Sequence, residues 1–479
     1  MGAGIAGLTA ARVLHDRGVA CVVYEAQQRV GGRMHSERAF WNDGQVSEYG
    51  GELIDTGHTT IRALAKRFEL AFTDEAASEP HDGEVTIFER GAYYRERDLF
   101  ADFRSVYHTL RAQVAALGPA TTYATSTATG RALDAMTLAE WIERFVPGGA
   151  PSRLGTYLWL QYVAEYGIEA ERQSALNLVS WVGRQPGYDS ATGAFVALGP
   201  SDERYHIVGG NDRLPRAIAA SLPEGVIRRG QRLEAIAQRS DGRVALSFAA
   251  RGSTHTELVD AAIVTVPFVV LRTIDTRRAA FDARKRLAIA QLGYGDHSKL
   301  IVQFDRRFWH EPGPWPGRST GDLTDDALSG QMWEASRGQP GAHGLLVDFK
   351  AAKRSAAVVS AEPYTTSAMP ATAAYARNLI ETLERPFPGA RKHFTHKATL
   401  SHLTSDPFAR GSYSGWLVGQ YTLFGGYERV RQGNVHFAGE HCSIDLQGFM
   451  EGAAREGARA AGDVLRDLGR AREVAAINA

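Results

Sequence analysis

The pattern of apolar and polar positions at the start of the chain predicts a helix followed by a buried strand. Apolar residues recur with helical spacing from Leu8 to His15, and Arg17-Gly18 ends that segment. Residues 19–24 form an apolar run that is typical of a buried strand, and Glu25 ends it. A unit of this kind is the beginning of many α/β nucleotide-binding domains.

The remaining pattern mixes helices and strands. We expect a mostly helical stretch from residue 102 to 183, with a capping box at Thr137 and Glu140. Elsewhere the pattern predicts helices at 60–68 and 448–468, a hairpin at 84–95, strands within 226–248, 257–266 and 299–304, and a long surface loop at 311–344. This order favours an α/β fold in which a nucleotide-binding domain is assembled from separated segments.

Composition excludes several classes of function. The 479 residues contain 54 Lys and Arg against 54 Asp and Glu, so the net charge gives no reason to expect nucleic acid or an anionic membrane as partner. No apolar run approaches the ~20 residues of a membrane-spanning helix. The two cysteines, Cys21 and Cys442, exclude a disulfide scaffold and a cysteine-built metal site, and we expect no metal.

The sequence Gly2-x-Gly4-x-x-Gly7 matches the Gly-rich turn of a dinucleotide site. Gly2 makes the turn, Gly4 allows the backbone to approach a pyrophosphate, and Gly7 allows the helix to pack on the strand. Glu25 follows Gly7 by 18 residues, where a carboxylate accepts hydrogen bonds from both ribose hydroxyls. The strand that normally precedes such a turn is missing because the chain starts at Met1, and we expect a truncated start.

Four further motifs accompany this turn. They are Arg29-Val-Gly-Gly-Arg33, Glu48-Tyr-Gly-Gly-Glu52, Val435-His-Phe-Ala-Gly-Glu440 and Gln447-Gly-Phe-Met-Glu-Gly452. Together with the Gly-rich turn, the chain from Gly2 to about Gly462 resembles the flavin-dependent amine oxidase family, which includes monoamine, polyamine and L-amino-acid oxidases. The likeness is weakest from Asp102 to Pro200.

The resemblance implies an α/β fold with a discontinuous, Rossmann-like FAD-binding domain and a mixed α+β substrate-binding domain. We expect the first at residues 1–75, 204–275 and 400–479, and the second at 76–203 and 276–399. The residues that the resemblance assigns to FAD are Gly2, Gly4, Ile5, Ala6, Gly7, Glu25, Ala26, Gly32, Arg33, Gly50, Gly51, Glu52, Leu233, Gly439, Glu440, Gly448, Phe449 and Met450.

Three positions carry the chemistry that the resemblance implies. Lys299 matches the family's lysine that holds a water near the flavin, and only seven of the 54 basic residues here are Lys. The alternative for Lys299 is a strand-end lysine that reaches solvent. Tyr413 and Phe449 match two rings that form an aromatic cage in front of the flavin. Either ring could instead be a core aromatic.

Other positions bear on the cofactor and the pocket. Ser412 stands where some relatives carry a flavin-linking cysteine, so the resemblance implies non-covalent FAD. Leu403 stands where many relatives have a tryptophan against the flavin. Trp416 is a candidate for the wall of the substrate pocket, with core packing as the alternative.

The implied reaction is oxidation of a C–N bond of an amine to an imine, which water hydrolyses, with O2 reduced to H2O2. The alternative substrate is an L-amino acid, but Leu53 stands where many L-amino-acid oxidases carry a carboxylate-binding arginine; Arg62 is another arginine that could serve. An isoprenoid or porphyrinogen desaturase and a non-catalytic flavoprotein are further alternatives. Oligomeric state is open, with a homodimer as one option. We expect a cytoplasmic protein by default, unless a longer N-terminus carries an export signal.

Overall fold

A computed structural model describes residues 1–186, 188–250, 252–328 and 330–470. The fold is mixed α/β. Its helices in these ranges are α1 (Ile5–Asp16), α2 (Thr59–Arg67), α3 (Glu96–Leu117), α4 (Ala128–Asp134), α5 (Leu138–Phe145), α6 (Arg153–Tyr166), α7 (Leu176–Val182), α8 (Arg213–Ala220), α9 (Phe268–Leu271), α10 (Ala283–Gln291), α11 (Ala352–Ala356), α12 (Pro370–Leu383), α13 (Ala390–His393), α14 (Gln420–Leu423) and α15 (Met450–Asp467).

The strands form one large sheet and several small ones. They are β1 (Val23–Tyr24), β2 (Ser36–Glu37), β3 (Ser47–Glu48), β4 (Phe72–Asp74), β5 (Gly83–Glu89), β6 (Ala92–Tyr93), β7 (Tyr205–Ile207), β8 (Ile227–Arg228), β9 (Arg232–Gln238), β10 (Val244–Ala250), β11 (Ser253–Val259), β12 (Ala262–Val264), β13 (Asp275–Arg278), β14 (His297–Phe304), β15 (Arg318–Asp325), β16 (Met332–Glu334), β17 (Gly344–Ala351), β18 (Tyr364–Thr366), β19 (Phe394–His402) and β20 (Val435–Phe437).

The large sheet has eight strands in the order β18-β19-β14-β17-β16-β15-β5-β6. Strand β14 lies inside it, antiparallel to both β17 and β19, and every one of its residues is buried. Such a strand is held in register on both edges, which fixes the position of Lys299. Residues of β14, among them Phe304, pack in one apolar core with helix α12, Trp309 and Phe387.

Two short parallel pairs lie near the chain's start. Strand β1 pairs with β8, and β12 pairs with β20. Residues 1 and 2 hydrogen-bond to both pairs: the Gly2 N–H donates to the Tyr24 oxygen at 2.8 Å, and the Met1 amino group donates to the Ile263 oxygen at 2.7 Å. Helix α1 packs against α15 so closely that a Cβ on Gly457 would lie 2.1 Å from the Ala6 oxygen.

Helices α3 to α7 pack around a separate apolar core that includes Phe103, Trp141 and Tyr162. The predicted capping box at α5 is confirmed, because the Thr137 side chain accepts from the Glu140 N–H and the Glu140 side chain accepts from the Thr137 N–H. The predicted hairpin is also confirmed as β5 and β6. The helices expected at 8–15, 60–68 and 448–468 are α1, α2 and α15.

One expectation is wrong. Residues 311–344 are not a plain surface loop, because they contain β15 and β16, which are inside the large sheet. Most positions of β15 are buried although it reads Arg-Ser-Thr-Gly-Asp-Leu-Thr-Asp. Its polar side chains find partners inside the protein, as in the bond between Thr86 and Ser319 at 2.8 Å. The buried strand predicted at 19–24 is shorter, Val23–Tyr24.

Two further expectations concern the limits of the chain and the membrane. The last part of the expected FAD-binding domain, residues 471–479, lies outside the described residues. Within the described part of the chain, none of the helices has the length and apolar character needed to cross a membrane.

Candidate active site

A cavity of about 540 Å³ brings the separated sequence motifs together. It extends from the Gly-rich turn and the strand end at Glu25 to the start of α15. The sequence-predicted cofactor residues that line it are Gly2, Gly4, Ile5, Ala6, Glu25, Ala26, Gly32, Arg33, Gly50, Gly51, Leu233, Gly439, Glu440, Gly448, Phe449 and Met450. Of the other two, Gly7 lies behind the turn, and Glu52 lines a neighbouring cavity.

The Gly-rich turn leaves open space beside the N-terminus of α1. Gly2 has φ +102°, in the left-handed region that favours glycine. Gly7 packs the helix onto the turn, because a Cβ there would lie 2.0 Å from the Gly2 oxygen. A Cβ on Gly4 would instead have its nearest neighbours 4.0 Å away, in Gly31 and Gly32. The first-turn N–H groups of a helix have no intrahelical acceptors, so this end of the cavity suits a phosphate.

Glu25 presents a fixed carboxylate at the end of β1. Its Oε2 accepts from the Ala3 N–H at 2.7 Å, and its Oε1 accepts from the Gln27 N–H at 2.8 Å. Each carboxylate oxygen retains a further acceptor site. Since Glu25 and Leu233 line the cavity together, this end can accept hydroxyl donors and an apolar ring.

Arg33 and Glu440 form an ion pair of 3.0 Å in the middle of the cavity wall. The second oxygen of Glu440 accepts from the Ser414 hydroxyl at 2.6 Å and from the Gly448 N–H at 3.0 Å. Burial raises the pKa of Glu440, but the Arg33 guanidinium and the hydrogen bond from Ser414 outweigh it, so the pKa lies below its ordinary value. The carboxylate therefore stays ionised and ties the β20 end to the start of α15.

Lys299 lies on β14 with its ammonium group among oxygen acceptors. Its Nζ donates to the Gly50 oxygen at 3.1 Å, to the Glu48 oxygen at 3.2 Å, and to the Glu52 carboxylate. The other oxygen of Glu52 accepts from the Trp333 indole N–H at 2.9 Å. Lys299 is buried, so the alternative of a lysine that reaches solvent is wrong.

Tyr413 and Phe449 each lie in a rigid aromatic setting. The Tyr413 ring stacks on His297 with centroids 5.1 Å apart, and its hydroxyl donates to the Glu165 oxygen. Burial raises the pKa of Tyr413 well above its ordinary value, so the hydroxyl keeps its proton. Phe449 contacts Trp181 and His58 with ring centroids 5.5 and 5.3 Å apart. These contacts fix the orientation of both rings.

A second cavity of about 450 Å³ adjoins the first. The residues that line both cavities are Gly50, Gly51, Lys299, Phe349, Tyr413, Gly448, Phe449 and Met450. One cavity therefore suits a dinucleotide, whose reactive ring would lie at this shared wall. The other suits a small substrate at the opposite side of the same wall.

Comparisons with known proteins agree with this arrangement. The sequence profile of the flavin-containing amine oxidoreductases matches residues 5–465. The chain belongs to the flavin-containing amine oxidoreductase family. It is 25% identical to the putative L-amino-acid oxidase YobN of Bacillus subtilis, over 97% of this chain and 94% of that protein. The family is one of flavin-dependent enzymes, so this chain is an oxidoreductase that acts on amine groups.

Solved structures support the fold of this amine oxidoreductase. Cyclohexylamine oxidase from Brevibacterium oxydans superposes with a TM-score of 0.81 at 22% identity, covering 98% of each chain. A wild-type putrescine oxidase bound to putrescine superposes with a TM-score of 0.76 at 19% identity, covering 97% of this chain and 98% of that one.

The amine oxidoreductase places Trp416 away from both cavities described above. Its ring packs against Tyr421 and Phe424, with centroids 4.7 and 6.0 Å away, and it is 4% exposed. Its carbonyl oxygen accepts from the Asn177 side chain at 3.0 Å. The structure therefore favours core packing over a pocket wall for this residue.

Several residues of the site carry no signal in the sequence. Trp333 and Phe349 lie on β16 and β17, and neither is part of a motif. Glu165 and Glu203 line the second cavity from the helical region and from the segment before β7. Tertiary contacts alone bring these four residues to the motifs. The isolated polar positions of the helical stretch offered no spacing that could identify Glu165.

Proposed function

We propose that this amine oxidoreductase binds FAD without a covalent link and oxidises the C–N bond of an amine to an imine. Water then hydrolyses the imine, and O2 is the acceptor that yields H2O2. The observation that carries this proposal is the shared wall of the two cavities, where Lys299, Tyr413 and Phe449 separate a dinucleotide-sized space from a substrate-sized one.

The residues at the two ends of the first cavity have the chemistry that FAD requires. The turn from Gly2 to Ala6 would hold the pyrophosphate, Glu25 the adenosine ribose, and Leu233 the adenine. Gly448 and Met450 would bring the start of α15 to the flavin ring, where a helix N-terminus favours negative charge. Gly50 and Gly51 would line the ring on the side of Lys299.

Non-covalent binding is supported by the placement of both cysteines. Ser412 lines the first cavity and carries no thiol. Cys442 is buried with its Sγ 3.5 Å from the Glu428 oxygen, and Cys21 has its Sγ 3.9 Å from the Ala11 oxygen. Neither thiol lines this cavity, so we expect denaturation to release the flavin unmodified.

The proposal includes a division of the chain into two domains. We propose an FAD-binding, Rossmann-like domain of residues 1–75, 204–275 and 400–479 and a substrate-binding domain of 76–203 and 276–399. Two apolar cores support it. One joins residues 3–65 with 207–222 and 453–454, whereas the buried residues of the other lie within 87–182. A third core joins residues 233–271 with 279–292, so the boundary near 275 is a region of close packing.

In the mechanism, FAD when bound supplies the acceptor for the two electrons and the hydrogen that leave the substrate's α-carbon. The protein positions the amine: the Tyr413 and Phe449 rings form an apolar passage that favours the neutral amine over its ammonium form. Lys299 donates its three N–H bonds to Glu52 and to the Glu48 and Gly50 oxygens, so a water held at its Nζ would take the place of one of these acceptors. A base is not required if the amine arrives unprotonated.

The charge of the second cavity favours an amine without a carboxylate. Its described lining includes seven acidic side chains but only two cations, Lys299 and Arg337; the acids are Glu52, Glu79, Glu96, Glu165, Asp202, Glu203 and Asp322. Burial raises the pKa of Glu96, Glu165 and Glu203, so these three can bind a cation by releasing a proton, whereas none of the seven can bind a carboxylate as a counter-charge. Both cations are already paired: Lys299 with Glu52, and Arg337 with Asp322 and Glu79. An α-amino acid would have to break one of these pairs to bind its carboxylate.

The second candidate is an L-amino-acid oxidase, which the name of the Bacillus subtilis relative favours. The sequence left Arg62 as a carboxylate partner. In the structure, its guanidinium donates to the Thr56 oxygen at 2.7 Å and lies 4.9 Å from the Tyr205 ring, and it lines neither cavity. Arg337 is therefore the arginine that an amino acid would need.

The test is anaerobic flavin reduction with matched pairs of substrates. Purified yellow protein is mixed with phenethylamine or phenylalanine, and with putrescine or ornithine, while the flavin absorbance is followed. We expect bleaching by the amines only. Bleaching by the amino acids only would establish the second candidate, and no bleaching by any substrate would contradict an amine oxidase and favour a desaturase or a binding protein.

A further inference from the structure

The second cavity contains two carboxylates that have no partner in the described chain. Glu165 lies on α6, and Glu203 lies two residues before β7. Neither side chain makes a hydrogen bond or an ion pair with another described residue. Four other acids of this cavity do have partners. Asp202 accepts from the Thr56 N–H at 2.8 Å, Glu52 pairs with Lys299, and both Glu79 and Asp322 pair with Arg337.

Glu165 is tied to one ring of the cage. Its main-chain oxygen accepts the Tyr413 hydroxyl, so the backbone of residue 165 and the ring of residue 413 are held together. Glu165 also lines the second cavity. It lines this cavity but not the first one, which places it on the substrate side of the Tyr413 ring.

Glu203 is tied to the other ring through Asp55 and His58. The Glu203 N–H donates to Asp55 Oδ1 at 2.9 Å, and the second oxygen of Asp55 pairs with His58 at 3.2 Å. The His58 ring in turn contacts Phe449 edge-on at 5.3 Å. Glu203 has φ +42°, a left-handed conformation that non-glycine residues rarely adopt, and such positions cluster at functional sites.

The two carboxyl groups at this wall lack the partners that would stabilise their ionised forms in the empty protein. Burial raises the pKa of Glu203 to about 8, and it raises the pKa of Glu165 well above its ordinary value, with the Glu203 carboxylate adding to the effect. A cation that enters between them supplies the missing counter-charge. A charge-assisted hydrogen bond of this kind is stronger than a neutral one.

We propose that Glu165 and Glu203 form a subsite for a second cationic group of the substrate, so that the preferred substrates are diamines or amines with a distal guanidinium. This inference rests on the proposed amine oxidation and deepens it. One amine, unprotonated, would lie at the shared wall of Lys299, Tyr413 and Phe449. The distal ammonium or guanidinium would lie at the two carboxylates, and the carboxyl protons would leave as it binds.

The experiment compares three substrates of matched length on the flavin-loaded enzyme. They are 1,4-diaminobutane, 1-aminobutane and 4-amino-1-butanol, and agmatine serves as the guanidinium arm. We expect kcat/KM for the diamine to exceed that of 1-aminobutane by about 10- to 100-fold, mostly through KM, with the amino alcohol close to the monoamine. The comparison of kcat/KM for agmatine and 1,4-diaminobutane decides whether a guanidinium or an ammonium group fits the subsite better.

The variants are Glu165→Gln and Glu203→Gln, alone and together. Each substitution keeps the shape and removes the charge, and flavin content and melting temperature report on folding. We expect each to lower the diamine-to-monoamine ratio of kcat/KM, and the double variant to bring it near one. Glu171→Gln, an exposed carboxylate five residues after α6, is the matched control and should leave the ratio unchanged.

A binding measurement separates this inference from the proposed function. We expect 1,4-diaminobutane to raise the melting temperature of the parent enzyme more than that of the double variant. Equal losses for diamine and monoamine in the variants would overturn the subsite and indicate a role in accepting the substrate's proton. A parent enzyme that reduces its flavin with monoamines as fast as with diamines would also overturn it, while leaving amine oxidation intact.

Discussion

The ammonium group of Lys299 pairs with the carboxylate of Glu52, although 247 residues separate them in the sequence. Their side chains are 6% and 5% exposed, so the pair is sheltered from water on nearly all sides. Breaking a buried ion pair by removing one partner leaves an uncompensated charge, which costs more than the pair contributes. Each partner therefore depends on the other for its place at the shared wall.

Replacing Lys299 by methionine should slow the enzyme at least about 10-fold in flavin reduction or in reoxidation by O2. The substitution removes the group that would hold a water at the wall, and it leaves Glu52 with the Trp333 N–H as its remaining donor. Stopped-flow absorbance measures the two half-reactions separately. Lys392→Met, at an exposed lysine, is the control. Full rates in both half-reactions would remove Lys299 from the mechanism.

Shortening Phe449 to alanine should lower kcat/KM by about 10- to 100-fold for amines with apolar substituents. The ring forms part of the wall between the cavities and is buttressed by Trp181 and His58. Steady-state kinetics with phenethylamine measures the loss. Phe449→Leu retains apolar bulk and should recover part of the rate; a variant with unchanged kinetics would mean that the ring only fills space.

Replacing Glu25 by glutamine should weaken FAD binding about 10-fold or more. The carboxylate accepts from the Ala3 and Gln27 N–H groups, and an amide can accept on one side only, so one N–H would face another donor. Flavin fluorescence that appears on dilution reports the dissociation. Glu224→Gln, on an exposed carboxylate, should retain the parent affinity. Tight binding in both variants would exclude Glu25 as a cofactor contact.

Glu75 makes the stability of the protein depend on pH. Burial raises the pKa of its carboxyl from 4.5 to about 8, with Glu52 and Asp322 adding to it and with His206 and Arg337 opposing it. The unfolded chain therefore loses this proton above about pH 4.5, whereas the folded chain keeps it until about pH 8. Unfolding releases a proton in that window, so stability falls as pH rises through it.

Replacing Glu75 by glutamine should remove this dependence. The gain relative to the parent should be small at pH 5 and grow toward pH 8, by up to about 4 kcal/mol, or about 4 °C in melting temperature. Melting curves of both proteins at the two pH values measure it. Glu224→Gln shares the charge change at an exposed position and should show no such trend. A constant difference between Glu75→Gln and the parent would mean that Glu75 is ionised in the fold.

Local patterns were sufficient for the elements whose residues interact within a few positions. Helix α5 could be predicted because Thr137 and Glu140 cap each other, and α1 because its apolar spacing and Gly-rich turn are contiguous. Strand β15 could not, since its partner β5 lies more than 200 residues earlier in the chain and its other partner, β16, is only three residues long. Its Ser, Thr and Asp residues are typical of a loop, and only the folded structure shows their buried hydrogen-bond partners.

The same distinction applies to the site. Gly2, Glu25 and Glu440 lie in motifs with fixed spacing, so the order of the amino acids is enough to indicate them. Glu165 and Glu203 stand out because their carboxyl groups have no partner in the described structure. The lack of an ion pair cannot be predicted from the sequence. Their neighbourhood is defined by Tyr413 and Phe449, which come from far along the chain.

The packing of α1 against α15 makes the site depend on contacts between distant parts of the described chain. The first helix and the last described helix meet at Ala6 and Gly457, and the residues that lead into α15 also form the wall of the substrate cavity. Loop closure over nearly the whole chain is entropically expensive and slows folding. The cavity wall is therefore assembled from two segments that are far apart in the described chain, and a fragment without either segment lacks part of that wall.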